Sequence, residues 1–333
     1  MTMLKAQYDR RGPVPHEVIR AVPLELPPPA PGQALVAMLA APINPSNLLT
    51  LTGEYAVLPA LPAVGGSEGV GRIGALGEGV DGLSLGQLVL LPRGSGTWVT
   101  HLLAEARSLV PLPEVADPLQ LAMLTVNPPT ASLMLSEFVP LVAGDWVIQN
   151  VANSAVGRHV IVLAKARGVR TLNVVRRDDV AGELRDIGAD VVVQDGPDLA
   201  ERARAATGGA SIKLGIDAVS GEACKRIGDC IAEGGVVVSY GSMSGQDPVM
   251  SRAAVNMRGV NLTGFNLGRG LAKRTREQVR AIYADLAGKL RDGLLEAPID
   301  AFYPIEEIRA ALIRAQQGGR DGKVLVLPNG ALQ

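Results

Sequence analysis

The segment that decides the fold is Gly144-Asp145-Trp146-Val147-Ile148-Gln149-Asn150-Val151-Ala152-Asn153-Ser154-Ala155-Val156-Gly157. Its first half is apolar and predicts a buried strand, and its second half is a turn of small residues before a helix predicted over 158–167. Such a helix presents unpaired N–H groups and the positive end of its dipole, which suit a pyrophosphate. The turn lacks the full G-x-G-x-x-G pattern, so the prediction also needs the residues that follow. Five residues are candidate contacts for a dinucleotide cofactor: Asn153, Ser154, Ala155, Val156 and Gly157.

The next predicted strand ends in two arginines, Arg176 and Arg177. They follow Gly157 by about twenty residues, which is where a dinucleotide-binding fold contacts the ribose. NAD-binding proteins usually place a carboxylate there, whereas a guanidinium binds a phosphate through two parallel hydrogen bonds. The arginine pair therefore favours NADPH over NADH. The alternative is a solvated loop, but the phosphate turn at the right distance upstream favours the cofactor role.

Bulk composition excludes several classes of protein. The chain has 333 residues, a formal net charge of −1, 47% hydrophobic residues and only 3% aromatic residues. These values indicate an ordered protein with room for two domains, and they disfavour a nucleic-acid partner. No apolar run reaches the ~20 residues that span a bilayer, and residues 1–20 lack the layout of a signal peptide. We therefore expect a cytoplasmic protein without a membrane partner. The two cysteines, Cys224 and Cys230, suit neither a zinc cluster nor a disulfide framework.

The chain contains two successive regions that differ in their pattern of predicted secondary structure. Before residue 112, short alternating strands broken by Gly and Pro predict a barrel-like β region. From Pro118 onward, predicted helices alternate with continuous apolar strands, which is typical of a parallel sheet buried on both faces. These strands are predicted over 146–149, 171–175, 191–193, 214–219, 236–240 and 260–265. Helices over 276–291 and 305–317 and a strand over 323–327 form a tail too short for a domain, so we expect it to fold back onto the first region.

Short motifs along nearly the whole chain carry a family resemblance. They are Ile43-Asn44-Pro45-Ser46, Leu61-Pro62-Ala63-Val64-Gly65-Gly66, Glu68-Gly69, Gly96-Thr97-Trp98, Val126-Asn127-Pro128, Thr130-Ala131, Ile148-Gln149-Asn150, Asn153-Ser154, Val156-Gly157, Val174-Val175-Arg176, Tyr240-Gly241, Met243 and Gly264-Phe265. With them the sequence resembles the medium-chain dehydrogenase/reductase superfamily, and within it the zinc-free 2-enoyl thioester reductases of the mitochondrial trans-2-enoyl-CoA reductase type. The resemblance implies an α/β protein in which a GroES-like β-barrel catalytic domain (1–121 with 267–333) accompanies a Rossmann domain (122–266). The Rossmann domain would hold NADPH on a doubly wound parallel sheet.

The resemblance also bears on metal binding. Alcohol dehydrogenases of the superfamily bind a catalytic zinc through a Cys and a His at the places where this chain has Asn44 and Ser67. Glu68 alone cannot hold the ion, since a catalytic zinc takes three protein ligands. The histidines stand in no ligand spacing: His16, His101 and His159. We expect no metal, and reduction of an activated C=C bond then fits better than oxidation of an alcohol.

The resemblance identifies Tyr55 as the candidate catalytic residue. In the thioester reductases a tyrosine in this loop assists proton delivery to the substrate α-carbon and holds the carbonyl as the enolate forms. A phenol stays protonated at neutral pH and can donate to a developing oxyanion. The hypothesis is that NADPH gives hydride to the β-carbon of an α,β-unsaturated carbonyl, and that Tyr55 or a water protonates the α-carbon. The alternative is that Tyr55 only packs its loop against the barrel.

Further roles follow from the same resemblance. It implies cofactor contacts for Asn44, Thr130, Tyr240, Gly241, Met243 and Phe265, although Asn44 can also cap a turn and Thr130 a helix start. Trp98 either lines the substrate pocket or fills the barrel core. Ser67 and Asn266 stand where the thioester reductases carry Asn and Trp, and the resemblance places both positions in the substrate pocket. The walls of this pocket are therefore expected to be smaller or more polar than those of the thioester reductases.

Three functions remain open at this point. The leading one is NADPH-dependent reduction of a trans-2-enoyl thioester, and a second is quinone or small-enone reduction, which shares the fold and cofactor without the placed tyrosine. The third is a protein that binds NADPH without turnover. The strand predicted over 260–265 would lie at an edge of the sheet, and an apolar edge is usually paired or covered, so we expect a homodimer.

Overall fold

The computed structural model describes residues 2–114 and 116–331, and the chain forms two compact units. One unit contains the described residues up to Val126 together with those from Arg280 onward, and the other is Asn127–Val279. The motifs place the boundaries after residues 121 and 266. The later second boundary has a physical reason, because the helix Leu267–Ala272 packs against the helix Asn127–Glu137 of the second unit.

The first unit is built mainly from strands. They are β1 (Leu4–Tyr8), β2 (Ile19–Pro23), β3 (Gln33–Pro42), β4 (Ala63–Val64), β5 (Val70–Leu76), β6 (Leu88–Leu90), β7 (His101–Glu105), β8 (Val110–Pro111) and, after the second unit, β15 (Ile299–Pro304) and β16 (Lys323–Leu327). The helices are α1 (Pro15–Val18), α2 (Pro45–Thr52), α3 (Pro118–Leu121), α10 (Arg276–Arg291), which crosses the boundary, and α11 (Ile308–Gln316), with 3₁₀ turns at Ala106–Ser108 and Ile305–Glu307.

The long strand β3 organises this unit. It pairs antiparallel with β5, β7 and β16, so the sheet has the order β15-β16-β3-β5-β6-β8 with β7 on β3. A second sheet has the order β2-β1-β4. Leu325 of β16 lies opposite Pro42, at the end of β3. The tail therefore completes the sheet of the first region, as the sequence predicts.

The second unit alternates strands and helices. Its strands are β9 (Trp146–Asn150), β10 (Arg170–Val175), β11 (Val191–Gln194), β12 (Ile212–Asp217), β13 (Val236–Ser239) and β14 (Asn261–Gly264). Its helices are α4 (Asn127–Glu137), α5 (Ala155–Ala166), α6 (Ala181–Asp186), α7 (Leu199–Ala206), α8 (Gly221–Asp229) and α9 (Leu267–Ala272), with a 3₁₀ turn at Asp178–Val180 and a π turn at Ala253–Met257.

The sheet of the second unit has the order β11-β10-β9-β12-β13-β14, and every neighbouring pair is parallel. Strands β9, β10 and β11 follow one another toward one edge of the sheet. Strands β12, β13 and β14 then follow one another from β9 toward the other edge. The strand order reverses between β9 and β12, which is where a doubly wound sheet binds its ligand, at the carboxyl edge. The predicted fold class, a GroES-like barrel domain with a doubly wound parallel Rossmann sheet, is confirmed.

Several predicted boundaries were wrong. Helix α5 begins at Ala155 rather than at residue 158, because the Oγ of Ser154 caps it. Strand β12 ends at Asp217 rather than at residue 219, because the next amides turn back to hydrogen-bond the Asp217 carboxylate. The short strands β1, β2 and β15 have no clear alternating pattern and were missed. No helix among the described residues is long and apolar enough to cross a membrane.

Candidate functional site

The predicted phosphate turn lies between β9 and α5. Ser154 caps the helix, its Oγ accepting a hydrogen bond of 3.1 Å from the Gly157 N–H. A Cβ on Gly157 would lie 2.5 Å from the carbonyl oxygen of Ala152, so the close approach of helix and strand requires glycine there. Val151 takes the left-handed conformation with φ 51°, an uncommon one for a β-branched residue. This strained, glycine-dependent turn presents the amino end of α5 at the carboxyl edge of the sheet.

Gln149 on β9 holds the same turn in place through hydrogen bonds of its side chain. Its side-chain amide donates to the carbonyl of Gly157 at 2.9 Å and to the Oδ1 of Asn173 at 2.8 Å, both in the buried interior. The position of α5 is thus tied to two adjacent strands by hydrogen bonds as well as by packing. Asn153, in contrast, is exposed at the tip of the turn, where its side chain is open to a ligand.

The arginine pair lies at the same edge of the sheet. Strands β9 and β10 are adjacent and parallel, with Val174 opposite Asn150, so Arg176 and Arg177 emerge beside the phosphate turn. Both are exposed, and Arg177 lies 3.5 Å from the carboxylate of Asp179. The structure therefore brings the two predicted parts of the cofactor site to one edge.

A buried carboxylate at this edge was missed by the sequence analysis. Asp217, fully buried at the end of β12, accepts a hydrogen bond of 2.6 Å from the side-chain amide of Asn150, at the end of β9. It also accepts from the Oγ of Ser239, at the end of β13, and from the backbone N–H of Ser220, each at 3.1 Å. Ser220 has φ 68°, a strained value for a non-glycine residue. One carboxylate thus holds the ends of three strands. An Asp that ends an apolar strand is the signal that would have found it.

Tyr240 and its neighbours follow β13 at the same edge. Burial raises the pKa of the Tyr240 phenol, and its hydrogen bond to Ser154 opposes that rise. The carbonyl of Gly241 accepts from the Oγ of Ser220 at 3.0 Å, whereas the side chain of Met243 is largely exposed. Tyr240 is therefore hydrogen-bonded to the phosphate turn itself, and its contact with a cofactor stays a prediction.

The other predicted site residues of the second unit, Thr130, Phe265 and Asn266, do not lie together at the phosphate turn. Thr130 is buried within α4. Phe265 packs edge-to-face on Phe138, with ring centroids 6.1 Å apart. Asn266 is exposed, and its side-chain oxygen accepts from the N–H of Arg269 as the cap of α9. Asn266 therefore has a local structural role whether or not it also contacts a substrate.

In the first unit, Tyr55 follows the helix α2. That helix ends at Gly53, whose φ of 92° lies in the left-handed region that favours glycine. The N–H groups of Gly53, Glu54 and Tyr55 all donate to the carbonyl of Leu49, at 2.9–3.1 Å. Tyr55 is partly exposed in the irregular loop that follows. The end of α2 thus fixes its backbone and leaves its side chain accessible.

The other end of α2 meets a buried network of charges. Asn44, which is 3% exposed, precedes the helix and donates from Nδ2 to the Oε1 of Glu68 at 2.6 Å. Its Oδ1 accepts a hydrogen bond from the ammonium of Lys323 on β16. The second carboxylate oxygen of Glu68 accepts from the N–H of Val126 at 2.9 Å. Both ends of the Asn44 amide are therefore occupied by protein partners.

The pKa values of Glu68 and Lys323 are both shifted in this network. Burial raises the pKa of Glu68 to about 7, and the hydrogen bond from Asn44 and the charge of Lys323 partly oppose this. Burial lowers the pKa of Lys323 to about 8 against the attraction of Glu68. The sequence analysis assigned no role to Lys323, because a lysine that begins a strand looks like an ordinary surface residue.

The two expected pocket residues of the first unit are placed differently. Trp98 is fully buried, and its ring packs so closely on Gly65 that a Cβ there would lie 2.2 Å from it. Trp98 fills the core, which is the alternative role given by the sequence. Ser67 is partly exposed, and its Oγ accepts from the side-chain amide of Asn47 at 3.1 Å.

Two family models match the chain and define the class of protein. The alcohol dehydrogenase GroES-like domain matches residues 30–114, and the zinc-binding dehydrogenase domain matches residues 155–285. This combination of a barrel domain and a doubly wound nucleotide domain defines a medium-chain dehydrogenase/reductase.

Individual relatives narrow the assignment. The mitochondrial enoyl-[acyl-carrier-protein] reductase of Xenopus tropicalis is 36% identical over 93% of this chain and 91% of its own length. Among solved structures, a proposed NADPH:quinone reductase from Bacillus thuringiensis has a TM-score of 0.91 and 26% identity, covering 98% and 99% of the two chains. A mutant enoyl thioester reductase from Candida tropicalis has a TM-score of 0.87 and 25% identity, covering 98% and 100%. The chain belongs to the medium-chain dehydrogenase/reductase superfamily, on the branch that includes the enoyl reductases, and it is an oxidoreductase.

The zinc in the name of one family model does not fit these residues. At the places of the Cys and His ligands stand the amide of Asn44 and the hydroxyl of Ser67, and both already hold protein partners. The Glu68 carboxylate is likewise occupied by Asn44 and Val126. Within 2–114 and 116–331, no group of three or more His, Cys, Asp or Glu side chains is placed to hold a metal ion.

Proposed function

We propose that the protein reduces the C=C bond of a trans-2-enoyl thioester with NADPH. The observation that carries the proposal is the 36% identity to an enoyl-[acyl-carrier-protein] reductase over 93% of the chain. The accessible Tyr55 and the phosphate turn at the amino end of α5 supply the groups that this reaction needs. The quinone reductase of similar structure supports the same cofactor, since its name includes NADPH.

The second unit supplies a site for the cofactor. The amino end of α5, capped by Ser154, would bind the pyrophosphate through its unpaired N–H groups. Arg176 and Arg177, exposed beside that turn, would bind the 2′-phosphate that distinguishes NADPH from NADH. When bound, NADPH supplies the hydride that adds to the β-carbon of the substrate.

Tyr55 supplies the acid function. Hydride addition at the β-carbon places negative charge on the thioester carbonyl oxygen and the α-carbon. The phenol of Tyr55 donates to that oxygen or delivers the proton to the α-carbon, directly or through a water. The three hydrogen bonds between Leu49 and the 53–55 segment hold the tyrosine backbone for this role.

The test is NADPH oxidation with a short trans-2-enoyl-CoA, run for the wild type and for Tyr55→Phe. We expect kcat/KM to fall by about 10²-fold, the loss expected for an acid or oxyanion donor. Tyr303→Phe is the matched control, because Tyr303 packs on the core of the first unit and is assigned no catalytic role. With deuterium at the transferable position of NADPH, the label should appear at the β-carbon of the product.

Quinone reduction is the second candidate, favoured by the structural similarity to the Bacillus thuringiensis protein. It shares the cofactor site and does not need Tyr55. Turnover of a quinone that exceeds turnover of every enoyl-CoA and is unchanged in Tyr55→Phe would establish it. Tight NADPH binding with no turnover of a thioester, a free enone or a quinone would instead establish a non-catalytic NADPH-binding protein.

A further inference from the structure

Glu68, which is buried, and Lys323, which is half-buried, take no part in the transfer of the hydride or the proton. Glu68 and Lys323 come from segments 255 residues apart in sequence and meet at the carboxamide of Asn44. Asn44 donates to the carboxylate with its nitrogen and accepts from the ammonium with its oxygen. A carboxamide between opposite charges has only one favourable orientation, since its reversal would set NH₂ against NH₃⁺ and oxygen against carboxylate.

The network extends into α2. The backbone N–H of Asn44 donates to the Oδ1 of Asn47 at 2.8 Å, and Asn47 in turn donates to Ser67 at 3.1 Å. The first turn of the helix is therefore fixed by the amide that the two charges orient. Tyr55 follows the last turn of this eight-residue helix.

We propose that Glu68 and Lys323 are positioning residues for Tyr55, acting through Asn44 and the helix α2. This inference rests on the proposed role of Tyr55 in enoyl thioester reduction. It assigns a function to a charge network that occupies the place where zinc-dependent relatives hold their metal.

Stability alone does not explain the network. The folded-state pKa of Glu68 lies above the ordinary value, so this group's contribution to stability is lost as the pH rises through about 7. The folded-state pKa of Lys323 lies below the ordinary value, so its contribution is lost as the pH falls through about 8. Near neutral pH the charges of the buried Glu68 and the half-buried Lys323 are thus held at a cost in folding free energy. A buried charge pair that does not stabilise the fold is consistent with a role in fixing one geometry.

The groups around the two charges are defined. Glu68 faces Asn44, Lys323, the backbone of Thr125 and Val126, and the phenol of Tyr283. Tyr283 donates to the carbonyl of Thr125 at 3.1 Å and also interacts with Arg93. Lys323 faces Asn44, Glu68 and Arg320. Glu68, with a pKa of about 7, and Lys323, with a pKa of about 8, are therefore the groups of this network that titrate near neutral pH.

The first experiment measures kcat against pH with a short enoyl-CoA for the wild type and for Glu68→Gln. In the wild type, kcat should fall below about pH 7, as Glu68 gains a proton, and above about pH 8, as Lys323 loses one. Glu68→Gln should lower kcat by about tenfold or more and remove the acidic limb, because misplaced catalytic groups reduce the rate steeply. The KM values for NADPH and thioester should change by less than about threefold, since the lost interaction acts on the transition state.

Two further variants test the Lys323 half. Lys323→Arg keeps the charge and should retain kcat within about threefold while the alkaline limb moves upward, because a guanidinium does not lose its proton in this range. Lys323→Met should lower kcat by about tenfold and remove that limb. Glu307→Gln, an exposed carboxylate ahead of α11, is the matched control and should leave kcat and the pH profile unchanged.

A second readout does not depend on turnover. In the double variant Glu68→Gln/Lys323→Met, amide hydrogen exchange at fixed pH should become faster by about tenfold in segment 45–55 and stay unchanged in α11. The midpoint of thermal unfolding should not fall, because replacing a buried charge pair is often neutral or stabilising.

The outcomes separate the two proposals. If wild type reduces no enoyl thioester, the proposed function fails, and with it the inference about Tyr55, whatever the exchange of segment 45–55 shows. If wild type is active but kcat and its pH profile survive Glu68→Gln, the positioning role is overturned. It is equally overturned if kcat and the unfolding midpoint fall while both KM values rise, with no selective change in segment 45–55, because that pattern indicates only a loss of structure.

Discussion

The side-chain amide of Asn150 donates a hydrogen bond of 2.6 Å to the carboxylate of Asp217, and the two residues end the strands β9 and β12. The oxygen of the same amide accepts from the N–H of Ala218 at 2.8 Å. These strands flank the point at which the strand order of the nucleotide sheet reverses. The hydrogen bonds therefore fix the strand ends where a doubly wound sheet binds its ligand.

The first prediction concerns this buried pair. Asn150→Leu, which keeps the approximate size, should lower the free energy of unfolding by about 3 kcal/mol, because it removes a partner of a buried carboxylate and leaves an amide N–H unpaired. Urea denaturation followed by circular dichroism measures the change. Asn153→Leu, exposed in the adjacent turn, is the control and should change stability by less than about 0.5 kcal/mol. Equal losses in both variants would contradict the importance of the pair.

The second prediction concerns cofactor choice. Replacing Arg176 and Arg177 together by alanine should raise the KM for NADPH by about 10–100-fold, the equivalent of one or two hydrogen bonds to a charged group. The KM for NADH should stay within about twofold, because NADH lacks the 2′-phosphate. Arg185→Ala, which removes another exposed arginine of the same unit, is the control. An equal loss for both cofactors would exclude phosphate recognition by the pair.

The architecture was predictable because it depends on strong patterns. Continuous apolar strands separated by helices have few solutions other than a parallel sheet, so all six strands of the second unit were predicted. The helix Arg276–Arg291 and the strand Lys323–Leu327 were located to the residue. The wrong predictions concern the ends of helices and strands, where one or two hydrogen bonds decide which residue is the last. Examples are the Ser154 cap of α5 and the backbone amides that bind the Asp217 carboxylate after β12.

The candidate site was predictable only in part, for a related reason. The phosphate turn and the arginine pair are close in sequence and have a recognisable spacing. The contacts of Asn44 with Glu68 and Lys323 join residues that are 24 and 279 positions apart. A pattern of neighbouring residues in the sequence cannot predict contacts over such distances. Trp98 illustrates the same limit, because its burial depends on two glycines of another segment, Gly65 and Gly66.

The third prediction concerns assembly. Strand β14 is at the edge of the six-stranded sheet, and Leu262 on it is 36% exposed. An edge strand presents unpaired N–H and C=O groups and is a template for pairing, so we expect a homodimer that continues the sheet across β14. Leu262→Lys should give monomers in sedimentation velocity at micromolar protein, because a lysine on an edge strand opposes its pairing with a second strand. Leu85→Lys, on an exposed loop of the first unit, is the control. A wild-type monomer would contradict the prediction.

The last prediction concerns the glycine of the phosphate turn. A methyl group on Gly157 would lie 2.5 Å from the Ala152 carbonyl oxygen, a backbone atom that cannot move aside without opening the turn. Gly157→Ala should therefore weaken NADPH binding by about tenfold or more, since the helix amides would no longer point at the pyrophosphate. Gly182→Ala on α6 is the matched control, because a Cβ there meets no atom within 4 Å. It should leave NADPH affinity unchanged and add about 0.5–1 kcal/mol of stability through helix propensity. Fluorescence titration with NADPH measures both affinities, and equal affinities for Gly157→Ala and wild type would mean that the cofactor does not bind at this turn.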